Sequence, residues 1–208
     1  MLHVPPSYQV GTPTPLVMAF HGMGSNANQQ LLLTGMTTTS DTHGFILVAP
    51  EARSGQWQLP TGAETAADTA ANADFAYLTA MATDLNDMVC IDRTRQYASG
   101  MSLGSALTLV LACAPNRTFA AFGGVGAAFY SPACDNAPPA PLIYFHGTAD
   151  AVVPIAGGLA PLGQTVAAIP DSMSAWAAHN DCTAVTQSSI GTDVTLTAWT
   201  ACANDADV

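Results

Sequence analysis

The chain contains no lysine and only four basic residues, all arginine, against fifteen acidic ones, so that 208 residues carry a formal net charge of −11. No cationic surface exists to neutralise a phosphate backbone, which excludes nucleic-acid binding as a function class. Long apolar runs are missing too. The best candidates, residues 15–20 and 105–114, are broken or too short to cross a bilayer, so no membrane span is expected. The five cysteines (Cys90, Cys113, Cys134, Cys182 and Cys202) include no CxxC pair. That argues against a zinc site and for disulfides in an exported protein. Met1 is followed by Leu2, His3, Val4, Pro5 and Pro6 rather than by a basic start and an apolar segment. The expectation is therefore a secreted protein whose export signal lies outside these residues.

What the chain does have is apolar content. Hydrophobic residues make up 49% and charged residues 9%, which argues against disorder, and the length suits one domain spanning residues 1–208. Short uncharged runs bounded by Gly and Pro alternate with longer segments of helical spacing, the pattern of an α/β protein whose mostly parallel sheet is covered on both faces. The predicted strands are residues 16–20, 45–49, 96–99, 120–125 and 142–145. Between residues 74 and 89, Phe75, Leu78, Met81, Leu85 and Met88 fall at three- and four-residue steps, which puts one apolar stripe on a helix. A second helix is predicted over residues 103–113, and residues 174–180 read as a third. Residues 54–73, rich in Gly, Ala and Thr, read as an irregular loop over the strand ends.

Three motifs follow predicted strands. Gly100-Met101-Ser102-Leu103-Gly104 separates a strand from a helix. Glycines two residues either side of a serine remove the Cβ atoms that would collide in a tight strand-turn-helix bend, which is the steric logic of a nucleophile elbow. The bland alternative is a helix start capped by Ser102. His21-Gly22-Met23-Gly24-Ser25 leaves free N–H groups at a strand end, and with the elbow it supplies an oxyanion hole from the amides of Met23 and Leu103. His146-Gly147-Thr148-Ala149-Asp150 places a carboxylate beyond a third strand, after the serine in chain order, where a triad acid belongs; the alternative is an Asx turn.

Together these segments resemble the secreted α/β-hydrolase esterases grouped with polyhydroxybutyrate depolymerases, feruloyl esterases and acetylxylan esterases. The likeness also rests on Pro15-Leu16-Val17, Cys90-Ile91-Asp92, Leu111-Ala112-Cys113, Trp176-Ala177 and Asn180-Asp181-Cys182. The resemblance implies Ser102 as nucleophile, Asp150 as triad acid, an ester substrate that can be polymeric, and no cofactor. It also implies a base in a Gly-rich segment after a final strand, where this chain ends at Val208, so the last edge strand and the base are expected beyond it and the domain is expected to be incomplete at both ends. Of the five histidines, His3 and His43 precede the elbow, His21 and His146 belong to motifs, and only His179 follows Asp150. His179 satisfies the chain order and is the one candidate base within the chain, although its place in a helix reads first as that of a surface or structural residue. The competing function is a binding module that kept the fold and lost its base. For the cysteines, Cys113–Cys134 and Cys182–Cys202 are the expected pairs, although spacing does not dictate connectivity. Cys90 is left free and buried, or bonded outside these residues.

Overall fold

The uncharged run around Leu16 forms a strand buried on both faces, as its composition requires. In the computed structural model, which describes residues 1–59, 72–115, 117–129, 134–159, 163 and 165–208, this strand is β2 (Thr14–Phe20). The main sheet adds β1 (Leu2–His3), β3 (Ile46–Val48), β4 (Ile91–Met101), β5 (Ala121–Val125) and β6 (Leu142–Phe145) in the order β1-β3-β2-β4-β5-β6. All neighbours run parallel except β1, which is antiparallel to β3.

Period-two alternation sorts the side chains of β2 onto two faces. Leu16, Met18 and Phe20 join Ile46, Val48, Leu107 and Leu109 in the larger core cluster, whereas Val17 and Ala19 pack with Leu47, Ala49, Ala27 and Leu31. Helices α1 (Ala27–Thr34) and α2 (Met36–His43) cover the second face. Helices α3 (Ala73–Met88), α4 (Leu103–Ala112) and α5 (Ile169–His179) contribute to the first cluster. Every residue of α4 after Leu103 is buried, which explains why this helix is apolar on all sides.

The predicted strands and the helices α3, α4 and α5 are all present, with shifted ends. The largest shift is in β4, which begins at Ile91 rather than Gln96 because Ile91 pairs with Thr14 before a register break. The break leaves Arg93, Thr94 and Arg95 exposed, so charge enters the strand where it is not sandwiched. Helices α1 and α2 are short and bury few side chains, Ala27, Gln30 and Leu31 in the first and Ser40 in the second, and the sequence reading missed them. It also missed the hairpin of β9 (Ala184–Ile190) and β10 (Val194–Thr200), whose first strand is exposed throughout, and the ribbon of β7 (Gly158–Leu159) and β8 (Thr165–Val166). In the predicted loop, residues 60–71 lie outside the described residues. Arg53–Gly55 forms a 3-10 turn, and Ala73 already belongs to α3.

Both expected disulfides, Cys113–Cys134 and Cys182–Cys202, are formed. Cys90 is free and only partly buried. Beside the second disulfide, the fully buried Asn180 side chain ties the approach to β6 to the end of the chain. Its Nδ2 donates to the carbonyls of Ala140 (2.8 Å) and Ala206 (2.7 Å), and its Oδ1 accepts from the Ala140 amide (3.0 Å). Among the described residues no helix is long and apolar enough to cross a membrane.

Candidate active site

Chain order reverses across β2, because β3 lies on one side of it and β4 on the other. At such a switch point the loops leaving neighbouring strands diverge and open a crevice at their carboxyl ends, where ligands bind in open α/β sheets. The loop after β2 carries His21 to Ser25, and the turn after β4 carries Ser102. Phe20 and Gly100 are register partners, so these two loops start side by side.

Ser102 has φ 53° and ψ −120°, a conformation that L residues rarely adopt, and its side chain makes no capping hydrogen bond to α4. The capping alternative is thereby set aside. Such a backbone costs about 1–3 kcal/mol and persists only when its surroundings enforce it. Here the enforcement comes from the Ser102 amide, which donates to the Val125 carbonyl at the end of β5 (2.7 Å), and from two glycines. A Cβ on Gly100 would lie 2.2 Å from the Gly104 carbonyl oxygen, and one on Gly104 would lie 2.2 Å from the Phe20 carbonyl oxygen. The absence of both lets the turn fold back against β2. Ser102 consequently meets the first loop: a Cβ on Gly22 would be 3.4 Å from the Ser102 Cβ.

The first loop is held by a residue whose ring the sequence reading left without a role. His21 is completely buried, and the Ala52 amide donates to its Nε2 (3.1 Å). A nitrogen that accepts carries no proton, so in the neutral ring the proton is on Nδ1, which donates to the Gly22 carbonyl (2.8 Å). The Ser25 amide donates to the same carbonyl (3.2 Å). In a trans peptide the C=O and the following N–H point oppositely. Clamping the Gly22 oxygen therefore fixes the direction of the Met23 N–H. Trp57 braces the assembly by donating from its indole nitrogen to the His21 carbonyl (2.9 Å), and the Gly24 amide donates to Gly55 (2.9 Å). Among the described residues, no hydrogen bond engages the Met23 or Leu103 amide.

Asp150 follows β6, the second strand beyond β4. Val125 is the register partner of both Met101 and Phe145, so the turns carrying Ser102 and Asp150 leave the same edge of the sheet, about 10 Å apart at two strand spacings. The Asp150 Oδ1 accepts from the amides of Val153 and Val152, 2.8 Å each. These bonds, Val153 first, hold its carboxyl below the usual carboxylate range against the opposing effect of burial. Both readings of this residue meet here, since the Asx-type turn occupies Oδ1 and leaves Oδ2 without a hydrogen bond among the described residues.

The remaining histidines lie elsewhere. His3 pairs with Asp41 (2.7 Å) on the edge strand β1, and His43 ends α2. His179 ends α5 and packs edge-on against Trp176 at 5.9 Å between ring centroids. Its neighbour Asn180 binds Ala140, ahead of β6, which puts this region at the opposite end of the strand from His146, on the order of 20 Å away. Among the described residues no cluster of three or more His, Cys, Asp or Glu is arranged to hold a metal ion.

A mostly parallel sheet flanked by helices, with a strained serine at the switch point, is the architecture of the α/β-hydrolases. Solved esterases share it. A thermostable esterase superposes with a TM-score of 0.59 at 20% identity over 74% of this chain and 44% of its own. A phospholipase/carboxylesterase from Dyadobacter fermentans gives 0.57 at 18% identity over 86% and 81%. Residues 1–136 match the family profile of Esterase PHB depolymerase, and the chain belongs to that family. Sequence relatives include a probable feruloyl esterase C of Aspergillus flavus, 28% identical over 76% of this chain and 57% of the relative. Another is a bifunctional acetylxylan esterase/xylanase of Neocallimastix patriciarum, 26% identical over 73% and 22%. The chain thus spans little more than half the length of the feruloyl esterases it matches.

Proposed function

We propose that the chain forms one catalytic domain of a secreted serine carboxylic-ester hydrolase that acts on polyester or on acyl esters of polysaccharide. Ser102 is the nucleophile, Asp150 the triad acid, and the amides of Met23 and Leu103 the oxyanion hole. The general base is a histidine outside residues 1–208. His21 and His146 have both ring nitrogens engaged by hydrogen bonds, and His179 belongs to the far end of β6. The base takes the Ser102 proton as Oγ attacks the ester carbonyl, and the resulting oxyanion accepts from the two amides. The proton passes to the leaving alcohol oxygen as the ester C–O bond breaks. Water then attacks the acyl carbon and gives a proton to the base, and as the bond from the acyl carbon to Oγ breaks the base returns that proton to Ser102, which releases the acid and restores the hydroxyl. The two disulfides favour an oxidising compartment, in keeping with secretion.

The observation that carries this reading is the Ser102 backbone. Strain of that size is retained where the side chain it presents has a use. A serine-reactive fluorophosphonate should label the intact protein at Ser102, and Ser102→Ala should abolish both labelling and hydrolysis of short p-nitrophenyl esters, a loss of about four orders of magnitude or more. An intact protein that resists labelling at Ser102 would be a binding module on the same fold.

A further inference from the structure

The segment between β6 and Asp150 contains a hydrogen-bonded chain that the catalytic steps above do not use. Tyr144, on β6, is partly buried and packs against the main core cluster. Its ring lies close over Gly124 of β5: a Cβ there would be 3.0 Å from the Tyr144 ring and 2.5 Å from the Ser105 Oγ. Tyr144 stacks on His146, with ring planes 23° apart and centroids 5.8 Å apart, and its hydroxyl donates to Nδ1 of His146 (2.8 Å). The other ring nitrogen, Nε2, lies 2.8 Å from the Val153 carbonyl oxygen. A carbonyl only accepts, so Nε2 carries the proton and Nδ1 presents its lone pair to Tyr144. The His146 side chain is 3% exposed. Burial, helped by the Asp150 charge, pushes the Tyr144 phenol above its ordinary range, which keeps it a hydroxyl donor.

Val153 is therefore gripped from both sides. Its carbonyl is bound by His146, and its amide is bound by Asp150. Asp150 in turn takes its orientation from the amides of Val152 and Val153, so a chain of hydrogen bonds runs from the core through Tyr144, His146 and Val153 to the carboxylate. Nε2 of His146 also lies 3.7 Å from Asp150 Oδ2, a distance from which a modest ring rotation would capture that oxygen. The bond to Val153 directs the Nε2 proton elsewhere and leaves Oδ2 open to a base. On the reading of Asp150 as the triad acid, we propose that Tyr144 and His146 are positioning residues that aim the Asp150 carboxylate and keep its second oxygen available.

Glutamine places an amide where Nε2 stands and can still donate to Val153, whereas asparagine is too short to do so. His146→Asn and His146→Phe should lower kcat of the intact protein on a p-nitrophenyl ester by about ten- to a hundredfold with KM within about twofold, and His146→Gln should recover most of that loss. Tyr144→Phe, which keeps the ring stack, should show a smaller fall in kcat. Nitrogen-15 spectra of the imidazole should report His146 as the Nε2–H tautomer in the native protein, and Tyr144→Phe should keep it, because Val153 still accepts that proton. Equal kcat for the Asn and Gln variants, or a native Nδ1–H tautomer, would overturn the proposal. Asp150→Asn separates the two levels. If it abolishes turnover while His146→Phe leaves kcat at the native value, only the positioning role fails; if Asp150→Asn remains active, the assignment of the triad acid fails.

Discussion

The carbonyl oxygen of Phe20 occupies the space in which a side chain at Gly104 would begin, 2.2 Å from the position of its Cβ. This contact sets how closely α4 approaches the end of β2, and hence how closely Ser102 approaches Gly22. Gly104→Ala should destabilise the protein by about 1–3 kcal/mol in urea unfolding, because the backbone on both sides has to move. The same shift should slow fluorophosphonate labelling of Ser102. Unfolding and labelling both indistinguishable from the native protein would show that α4 does not need this contact.

Ser102 itself points to a trade between strain and use. Glycine accepts φ 53° without a Cβ penalty, so Ser102→Gly should stabilise the fold by about 1 kcal/mol while removing the nucleophile. For a chain of this size the gain corresponds to a Tm rise of about 2–4 °C by calorimetry. A Tm below that of Ser102→Ala would contradict stored strain at this position.

Asn180 carries three buried hydrogen bonds that join the segment before β6 to the end of the chain. Asn180→Ala strands the Ala140 amide and two carbonyls, at about 3 kcal/mol in total stability. Hydrogen exchange should become faster at Ala140 and Leu142 before it does at β2. Unchanged protection there would mean that water replaces the side chain at little cost.

The hydrogen bonds of Asp150 favour its charged form, so its folded-state pKa lies below the unfolded value. The sign of the pH dependence follows. Its contribution to stability is fully present above the unfolded carboxylate pKa, about 3.9, and disappears as the pH falls through the lowered folded value. The Tm difference between the native protein and Asp150→Asn should therefore be largest near neutrality and shrink in acid. A difference that grew on acidification would reverse the assigned direction.

Much of this site was legible without coordinates, because its constraints are local. The spacing of Gly100, Ser102 and Gly104 encodes a bend that only glycine neighbours permit, and the uncharged run before His21 encodes a strand buried on both faces, whereas the run before His146 forms a strand that leaves Ile143 and Phe145 exposed. Other features left no such signal. The rings of His21 and His146 sit in motifs beside Gly22 and Gly147, yet their proton positions depend on Ala52 and Val153. Helices α1 and α2 were missed because they bury only a few side chains, such as Leu31 and Ser40, and so show little periodicity. The β9–β10 hairpin, with a polar exposed strand, shows no hydrophobic alternation to read.

Residue order and side-chain chemistry were sufficient to specify an α/β layout, a tight strand-to-helix turn at Ser102 and a later carboxylate at Asp150 beyond a third strand. They could not specify that β3 and β4 leave β2 on opposite sides, that Gly22 lies against Ser102, or that His179 belongs to the far end of β6. Those facts arise from packing between segments tens of residues apart. A local pattern records what a segment needs to bury, and only the folded chain decides against what.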